Sequence, residues 1–215
     1  MLEAAVLVDT APLVRKLGRV DYAETLSAMR QFSAQRSEET PDELWLLEHP
    51  PVYTLGQGAD ASHGPVAGGT IEVLRVERGG DVTYHGPGQL VVYTLVDIAR
   101  RGIKVREFVH LLEQSLIDLL AAHGVTAARK PGAPGVYVNG AKVAALGIRV
   151  TRGRALHGLS LNVDMDLAPF SAIDPCGYPG LAVTQTRDLG IVAGVEELGQ
   201  ELAGLIAAHL EAGHA

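Results

Sequence analysis

The stretch from residue 136 to residue 163 reads VYVNGAKVAALGIRVTRGRALHGLSLNV, and it predicts three antiparallel strands joined by two tight turns. Asn139-Gly140 separates two strand-like runs, and this pair is the strongest short signal for a hairpin because both residues tolerate positive φ. Arg152-Gly153 predicts a second turn. The three strands are expected at Val136–Val138, Ala141–Val150 and Ala155–Val163.

Helical and strand-like segments interleave around this hairpin. Apolar residues three and four positions apart predict three helices, at Asp21–Arg36, Val105–His123 and Val195–His209. Short apolar runs predict four more strands, at Leu44–Leu47, Val52–Thr54, Ile71–Val76 and Leu90–Val96. Because helices and strands interleave while hairpins are present, we expect an α/β or α+β domain with a mixed sheet.

Chain length and composition favour a single domain, expected to be catalytic, that spans residues 1–215. Residues 56–70, rich in Gly, Ala and Pro, predict a surface loop, and residues 164–184 predict a long irregular segment. Helices, strands and loops follow one another without a repeat, a low-complexity tract or a linker. The sequence therefore predicts one folding unit.

Charge and cysteine content narrow the class of protein. The net charge of −7 argues against nucleic acid as a main partner, since phosphate binding needs a basic face. A single cysteine excludes an intramolecular disulfide framework and fits a reducing compartment. Neither a secretory signal nor a run of ~20 apolar residues is evident. We therefore expect a cytoplasmic protein without a membrane partner.

A glycine-rich run, RGGDVTYHGPGQ, extends from Arg78 to Gln89 between two predicted strands. Its glycines would let the backbone approach a ligand and direct N–H groups into a cavity, while Arg78, Thr83, His85 and Gln89 offer polar contacts. A tight turn whose glycines satisfy backbone angles is the alternative. No Gly-Lys-Ser/Thr follows, so the run is not a phosphate-binding P-loop.

Lys142 and Cys176 are the candidate catalytic residues. Period-two alternation places Lys142 on the apolar face of its strand, where an amine can transfer protons and stabilise a thiolate. The alternative is a lysine that reaches solvent along its flexible stem. Cys176 lies between proline and glycine in Asp174–Gly180, which favours a presented, reactive thiol; a buried, inert thiol is the alternative.

The run His157-Gly158-Leu159-Ser160-Leu161-Asn162 could line an apolar channel or offer N–H groups to an oxyanion, or it could be a plain strand. The eight histidines are scattered, and neither His-x-x-Glu-His nor Cys-x-x-Cys spacing occurs. The sequence therefore predicts no metal site.

Several motifs, in the same order along the chain, closely resemble the lipoyl(octanoyl) transferases, the octanoyl-[acyl-carrier-protein]–protein N-octanoyltransferases. The resemblance covers nearly the whole chain, and the Arg-Gly-Gly…His-Gly-Pro-Gly-Gln run and the Pro-Cys-Gly turn are its most specific parts. The matching segments are Glu48–Gly56, Arg78–Gln89, Pro134–Val138, Lys142–Arg149, His157–Val163 and Pro175–Gly177.

This resemblance implies a fold like that of lipoate and biotin protein ligases, with a large mixed sheet and a smaller sheet flanked by helices. It implies a catalytic dyad of Cys176 and Lys142 and an acyl-binding site beside it. The implied acyl-binding residues are Arg78, Gly79, Gly80, Asp81, Val82, Thr83, Tyr84, His85, Ala145, Leu146, Gly147, Gly158, Leu159 and Ser160.

The resemblance further implies transfer of an octanoyl group from octanoyl–acyl carrier protein, through a thioester on Cys176, to a lysine of an apo lipoyl domain. Such domains belong to the 2-oxoacid dehydrogenase complexes and the glycine cleavage H protein. No cofactor is expected, because the phosphopantetheine thioester of the donor is already activated. An acidic carrier protein would dock on a basic patch, for which Arg149, Arg152 and Arg154 are candidates.

Three alternatives remain open on the sequence. An ATP-dependent lipoate–protein ligase on the same fold would adenylate a free acid and need no nucleophilic cysteine. A non-catalytic lipid- or cofactor-binding module would use Cys176 structurally. A cysteine hydrolase would use His85 or His157 as its base and release free fatty acid. The roles of His49 and His85 are not assigned.

Overall fold

The computed structural model describes residues 11–60, 63–65, 69–173 and 181–212. Along these ranges the chain forms nine strands and three α-helices. The strands are β1 Leu13–Arg19, β2 Glu43–Glu48, β3 Val52–Leu55, β4 Glu72–Arg75, β5 Val82–His85, β6 Gln89–Leu95, β7 Gly135–Val138, β8 Ala141–Thr151 and β9 Arg154–Asn162; the helices are α1 Tyr22–Gln35, α2 Val105–Ala122 and α3 Val195–Ala212.

The strands form two sheets, as the resemblance implied. The larger has the order β1-β2-β6-β9-β8-β7, in which the β1–β2 pair is parallel and the remaining pairs are antiparallel. The smaller has the order β4-β3-β5, with β3 parallel to β4 and antiparallel to β5. A mixed α/β fold with one large and one small sheet is therefore confirmed.

Both predicted turns of the three-stranded unit are confirmed. Asn139 and Gly140 have φ of 49° and 84°, and Arg152 and Gly153 have φ of 53° and 77°. Two consecutive residues at positive φ define the turn whose twist matches that of paired antiparallel strands. The local turn chemistry therefore fixes how β8 is aligned with β7 and β9, and this alignment positions the site residues on β8.

The large sheet is covered on both faces. One face packs under α2 and α3, whose Phe108, Leu112 and Leu202 are fully buried against the sheet. The other face packs against α1, through Tyr22, Leu26 and other residues of that helix. Every residue of β6 is buried for this reason, as its continuously apolar sequence predicted.

Two strands were not predicted. β1 is exposed along its whole length, so its sequence LVRKLGR lacks the apolar alternation that predicts a strand. β5 lies within the glycine-rich run, which the sequence analysis treated as a loop between strands; that interpretation is wrong for Val82–His85, which pairs with β3. No helix in the described ranges is long and apolar enough to cross a membrane.

Candidate active site

A cavity opens between β5 of the small sheet and the β8–β9 ladder of the large sheet. The space between its walls, which continues into open solvent at the mouth, is about 730 Å³. Most of the residues predicted for acyl binding line this one cavity, and Lys142 lines it too. The predicted residues that the structure brings together there are Arg78, Gly80, Asp81, Val82, Thr83, His85, Ala145, Leu146, Gly147, Gly158, Leu159 and Ser160.

Two of the predicted acyl-binding residues, Gly79 and Tyr84, are not among the lining residues of this cavity. The Gly79 N–H donates to the Ile148 carbonyl at 2.9 Å, which ties the glycine-rich run to β8. The Tyr84 ring packs against Tyr53 and Phe170 in the core below the small sheet. Both residues support the wall of the cavity from outside.

Arg78 is buried at the small-sheet side of the cavity. Its Nη2 donates to the Thr54 carbonyl at 2.7 Å and to Thr54 Oγ1 at 2.8 Å, and its Nη1 donates to the Gly79 carbonyl at 2.9 Å. These bonds hold a positive charge in a fixed place. A Cβ on Gly147 would lie 3.2 Å from Arg78 Cδ, so the glycine permits this close approach.

Lys142 is 4% exposed, which rules out the alternative in which it reaches solvent. Its Nζ donates to the Pro134 carbonyl at 3.2 Å and lies 5.3 Å from the centre of the Tyr137 ring. Pro134 immediately precedes β7, and Tyr137 lies within it. The turn at Asn139-Gly140 pairs β7 with β8 and so places both residues next to the amine. The structure therefore presents a buried primary amine at the cavity wall.

Cys176 lies outside the described residues, as does the whole run from Asp174 to Gly180. The described chain on each side of that run is attached to the cavity. Ile173 is buried beside Phe170, and Phe170 lines the cavity. On the far side, the Lys142 N–H donates to the Ala182 carbonyl at 2.8 Å, and the Thr184 N–H donates to the Lys142 carbonyl at 3.0 Å.

Three buried histidines and two tyrosines adjoin the cavity. His49 Nδ1 donates to the Val20 carbonyl at 2.7 Å, since a carbonyl can only accept, and its Nε2 accepts from the Tyr93 hydroxyl at 2.7 Å. His85 Nδ1 donates to Gln89 Oε1 at 2.7 Å. The Tyr22 ring packs against both histidine rings.

Burial keeps these histidines neutral. It lowers the pKa of His85 to about 3, and the neighbouring His49 ring and the Arg78 charge act in the same direction. Burial also lowers the pKa of His157 to about 4, against the opposing effect of the Glu77 carboxylate. The pKa of His49 is likewise lowered by burial. The cavity wall thus carries uncharged imidazoles at neutral pH.

Sequence reasoning missed several lining residues, namely Tyr22, Val91, Tyr93, Ala144, Phe170 and Val183. The run from His157 to Asn162 was a candidate channel lining, and both of its end residues do line the cavity. Tyr93 had a detectable signal, because a phenol inside the continuously apolar strand β6 must find a polar partner. Within the described ranges, no group of three or more His, Cys, Asp or Glu side chains could hold a metal ion.

Sequence comparison shows close relatives over most of the chain. Residues 21–204 match the lipoyl protein ligase A/B catalytic domain. An octanoyltransferase of Thiobacillus denitrificans is 61% identical over 189 residues, which cover 88% of this chain and 86% of that protein. An octanoyltransferase of Dechloromonas aromatica is 57% identical, covering 89% of this chain and 93% of its own.

Solved structures share the fold at low sequence identity. A lipoate–protein ligase A bound with ATP superposes with a TM-score of 0.78 at 14% identity, covering 94% of this chain and 86% of that one. The biotin protein ligase of Aquifex aeolicus has a TM-score of 0.58 at 12% identity, covering 92% and 70%. These likenesses show the fold, and the sequence relatives show the family. The chain belongs to the lipoyl protein ligase A/B catalytic domain family, among its octanoyltransferases.

Proposed function

We propose that this chain, acting as a single catalytic domain, transfers an octanoyl group from octanoyl–acyl carrier protein to a lysine ε-amine of an apo lipoyl domain, through a thioester on Cys176. The close relatives are named octanoyltransferases, which supports the acyl group and the reaction class. Lys142 is the proposed general acid and base. The predicted acyl-binding residues that line the cavity would hold the octanoyl chain.

One observation carries the proposal: the chain that follows the cysteine segment is hydrogen-bonded to Lys142. The bonds from Lys142 to Ala182 and from Thr184 to Lys142 place the residues just after that segment beside the candidate base. Ile173, before the segment, is anchored in the core next to the cavity. These contacts on both sides of the cysteine segment support a short distance between the Cys176 thiol and the Lys142 amine.

In the first half-reaction, Lys142 Nζ accepts the proton of the Cys176 thiol. The thiolate then attacks the carbonyl carbon of the donor thioester and forms a new carbon–sulfur bond. Backbone N–H groups of the glycine-rich segments would stabilise the oxyanion. The bond to the phosphopantetheine sulfur breaks, and that thiol leaves with a proton from Lys142. The product is octanoyl–Cys176.

In the second half-reaction, the lysine amine of the acceptor attacks the octanoyl–Cys176 carbonyl. A carbon–nitrogen bond forms and the carbon–sulfur bond breaks. Lys142 accepts the proton lost by the amine and returns one to the Cys176 sulfur. Over the two half-reactions Lys142 returns every proton that it accepts, so the enzyme ends in its starting protonation state. The reaction needs neither ATP nor a metal ion, because the donor arrives as an activated thioester.

The two partners proposed for this chain differ in chemistry. The donor is a carrier protein with an octanoyl-phosphopantetheine arm, and the acceptor is a folded lipoyl domain. One solved neighbour is described together with its E2 lipoyl domain, which supports a lipoyl domain as the acceptor class here. Lipoyl domains of the 2-oxoacid dehydrogenase complexes and the glycine cleavage H protein are the proposed acceptors.

The test is ATP-free modification of a purified apo lipoyl domain. We expect the domain to gain one octanoyl group when octanoyl–acyl carrier protein and the enzyme are mixed without nucleotide. The Cys176→Ser variant should lose at least about 100-fold in rate, the range that a lost nucleophile or proton-transfer group commonly costs. Strict dependence on ATP and free octanoate would contradict transfer and favour a ligase.

A further inference from the structure

Glu113 is a buried carboxylate between α2 and the start of β7. The residue is 5% exposed; its Oε1 accepts from the Gly135 N–H at 3.1 Å, and its Oε2 accepts from Arg129 Nε at 3.0 Å. Arg129 is itself held by the His110 carbonyl at 3.0 Å and by Gln114 Oε1 at 2.8 Å. Burying a carboxylate is unfavourable even when it is paired, and an apolar side chain of similar volume avoids that cost. Packing alone therefore does not explain the acid.

The Pro134–Gly135 peptide connects Glu113 to the proposed catalytic amine. This peptide is trans, so its N–H and its carbonyl point in opposite directions. The N–H donates to Glu113 Oε1, and the carbonyl accepts from Lys142 Nζ at 3.2 Å. A single planar group therefore contacts the carboxylate at one end and the amine at the other.

Gly135 allows this peptide to lie against the lysine. Its φ is +142°, and a Cβ there would lie 2.7 Å from the Ala144 carbonyl oxygen and 3.0 Å from Lys142 Cε. The same lack of a side chain leaves the peptide able to rotate, because glycine adopts many backbone conformations. The orientation of the peptide therefore depends on the groups that it bonds, and Glu113 holds its N–H end.

The charge of Glu113 acts along the same path. A carboxylate that accepts from an N–H polarises the peptide, and the carbonyl at its other end becomes a stronger acceptor. In the proposed half-reactions the Lys142 amine alternates between its protonated and neutral forms, and both forms have an N–H to donate. A strong and fixed acceptor therefore keeps Nζ in one position through the proton transfers.

We propose that Glu113 is a positioning residue for Lys142 and acts through the Pro134–Gly135 peptide. This inference rests on the proposed function, in which Lys142 is the acid and base. Removing the carboxylate releases the N–H end of the peptide, and the carbonyl then no longer holds the amine in place. Glu113 is not a lining residue of the cavity, so acyl binding is not affected directly.

The experiment follows acylation of the enzyme in a single turnover with octanoyl–acyl carrier protein, measured as intact mass against time. Glu113→Leu should be acylated about 10-fold to about 100-fold more slowly, because misplacing a catalytic group by about 1 Å can cost that much. Glu113→Gln keeps an acceptor for the Gly135 N–H and should recover most of the rate. Asp118→Leu removes another carboxylate of α2, one that bonds to His209 on α3, and should keep the wild-type rate.

A double-mutant cycle with Lys142→Ala separates positioning from general damage. If Glu113 acts through the amine, Glu113→Leu should slow acylation no further once Lys142 is replaced by alanine. A structural role would slow both backgrounds by the same factor.

Four results would overturn the inference while leaving octanoyl transfer in place. They are a wild-type rate for Glu113→Leu, an equal further loss in the Lys142→Ala background, a Glu113→Gln enzyme no faster than Glu113→Leu, and a Glu113→Leu chain that does not fold. The last would show that the acid is needed for the structure itself. A wild-type enzyme that transfers no octanoyl group would instead overturn the proposed function, and this inference with it.

Discussion

At the scale of single residues, the neutral histidines beside the cavity link the site to the stability of the protein. Unfolding moves the His157 ring into water, where its pKa returns from about 4 to 6.5. Between these values the unfolded chain binds more protons than the folded one. The free energy of unfolding therefore falls as the pH is lowered through this window and rises again as the pH returns to 7.

Replacing His157 by Phe should reduce this sensitivity to acid. At 1.36 kcal/mol per pKa unit, the lost linkage contributes up to about 3 kcal/mol to the difference in stability between neutral and acidic solution. Chemical denaturation at about pH 7 and about pH 4.5 measures it for both proteins. An equal loss of stability in the two proteins would show that His157 is not held neutral by the fold.

Single residues also show where sequence reasoning ends. Lys142 could be assigned to the apolar face of β8 because alternation is a local property, and it is buried at the cavity. His157 belonged to a run that could line a channel, but the face of the sheet on which its ring lies could not be predicted, because its positive φ reverses the alternation that a strand pattern assumes. His49 has two hydrogen-bond partners, Val20 just before α1 and Tyr93 on β6. Both are distant in sequence, so only the packed structure shows them.

At the scale of elements, the close pairing of β6 and β9 depends on Gly158. A Gly158→Ala substitution should destabilise the protein by roughly 1–3 kcal/mol, the usual cost of inserting a methyl group into a packed interior. The reason is that its Cβ would meet the Val92 carbonyl oxygen. Thermal or chemical unfolding measures the change.

The matched control is Gly204→Ala on the exposed side of α3, where an added Cβ has nothing within 4 Å. That variant should gain roughly 0.5–1 kcal/mol, because alanine has the higher helix propensity. Equal effects for the two substitutions would contradict a special role for the contact between β6 and β9.

The sequence predicted the elements that have a local pattern, such as a turn dipeptide or apolar periodicity. It did not predict the strands that are defined only by their pairing with a distant strand. The β7–β8–β9 unit follows from two turn dipeptides, and the three helices follow from their apolar periodicity. β1 has no buried residue, so no pattern marks it; its parallel pairing with β2 makes it a strand. β5 is four residues long and lies among glycines, and pairing with β3 defines it.

At the scale of the whole molecule, the proposed function requires this acidic chain to dock an acidic carrier protein. Of the three arginines predicted for docking, Arg154 contacts Asp97 at 3.4 Å and the Ser33 carbonyl at 3.4 Å, so it is held within the fold. Arg149 Nη1 donates to Gln57 Oε1 at 3.1 Å. Gln57 also bonds to the Arg78 carbonyl, beside the cavity. Arg149, which lies beside the cavity, is therefore a stronger docking candidate than Arg154, and the exposed Arg152 stays a candidate.

Arg149→Ala should raise the KM for octanoyl–acyl carrier protein, and the increase should shrink as salt is added because exposed charges are screened. Steady-state kinetics at low and physiological ionic strength measures both effects. Arg106→Ala on α2, which covers the opposite face of the large sheet, should leave this KM unchanged. An unchanged KM for Arg149→Ala at low salt would remove Arg149 from the docking surface.

The most direct test of the covalent mechanism is the intact mass of the enzyme after exposure to octanoyl–acyl carrier protein alone. The wild type should gain one octanoyl group, located on the Cys176 peptide. Cys176→Ala should gain none, because alanine has no nucleophile, and Lys142→Ala should be acylated at least about 100-fold more slowly. Lys130→Ala, which removes another amine near the Tyr137 ring, should behave as the wild type does. A wild-type enzyme that remains unmodified, or a Cys176→Ala variant that is still acylated, would contradict the account.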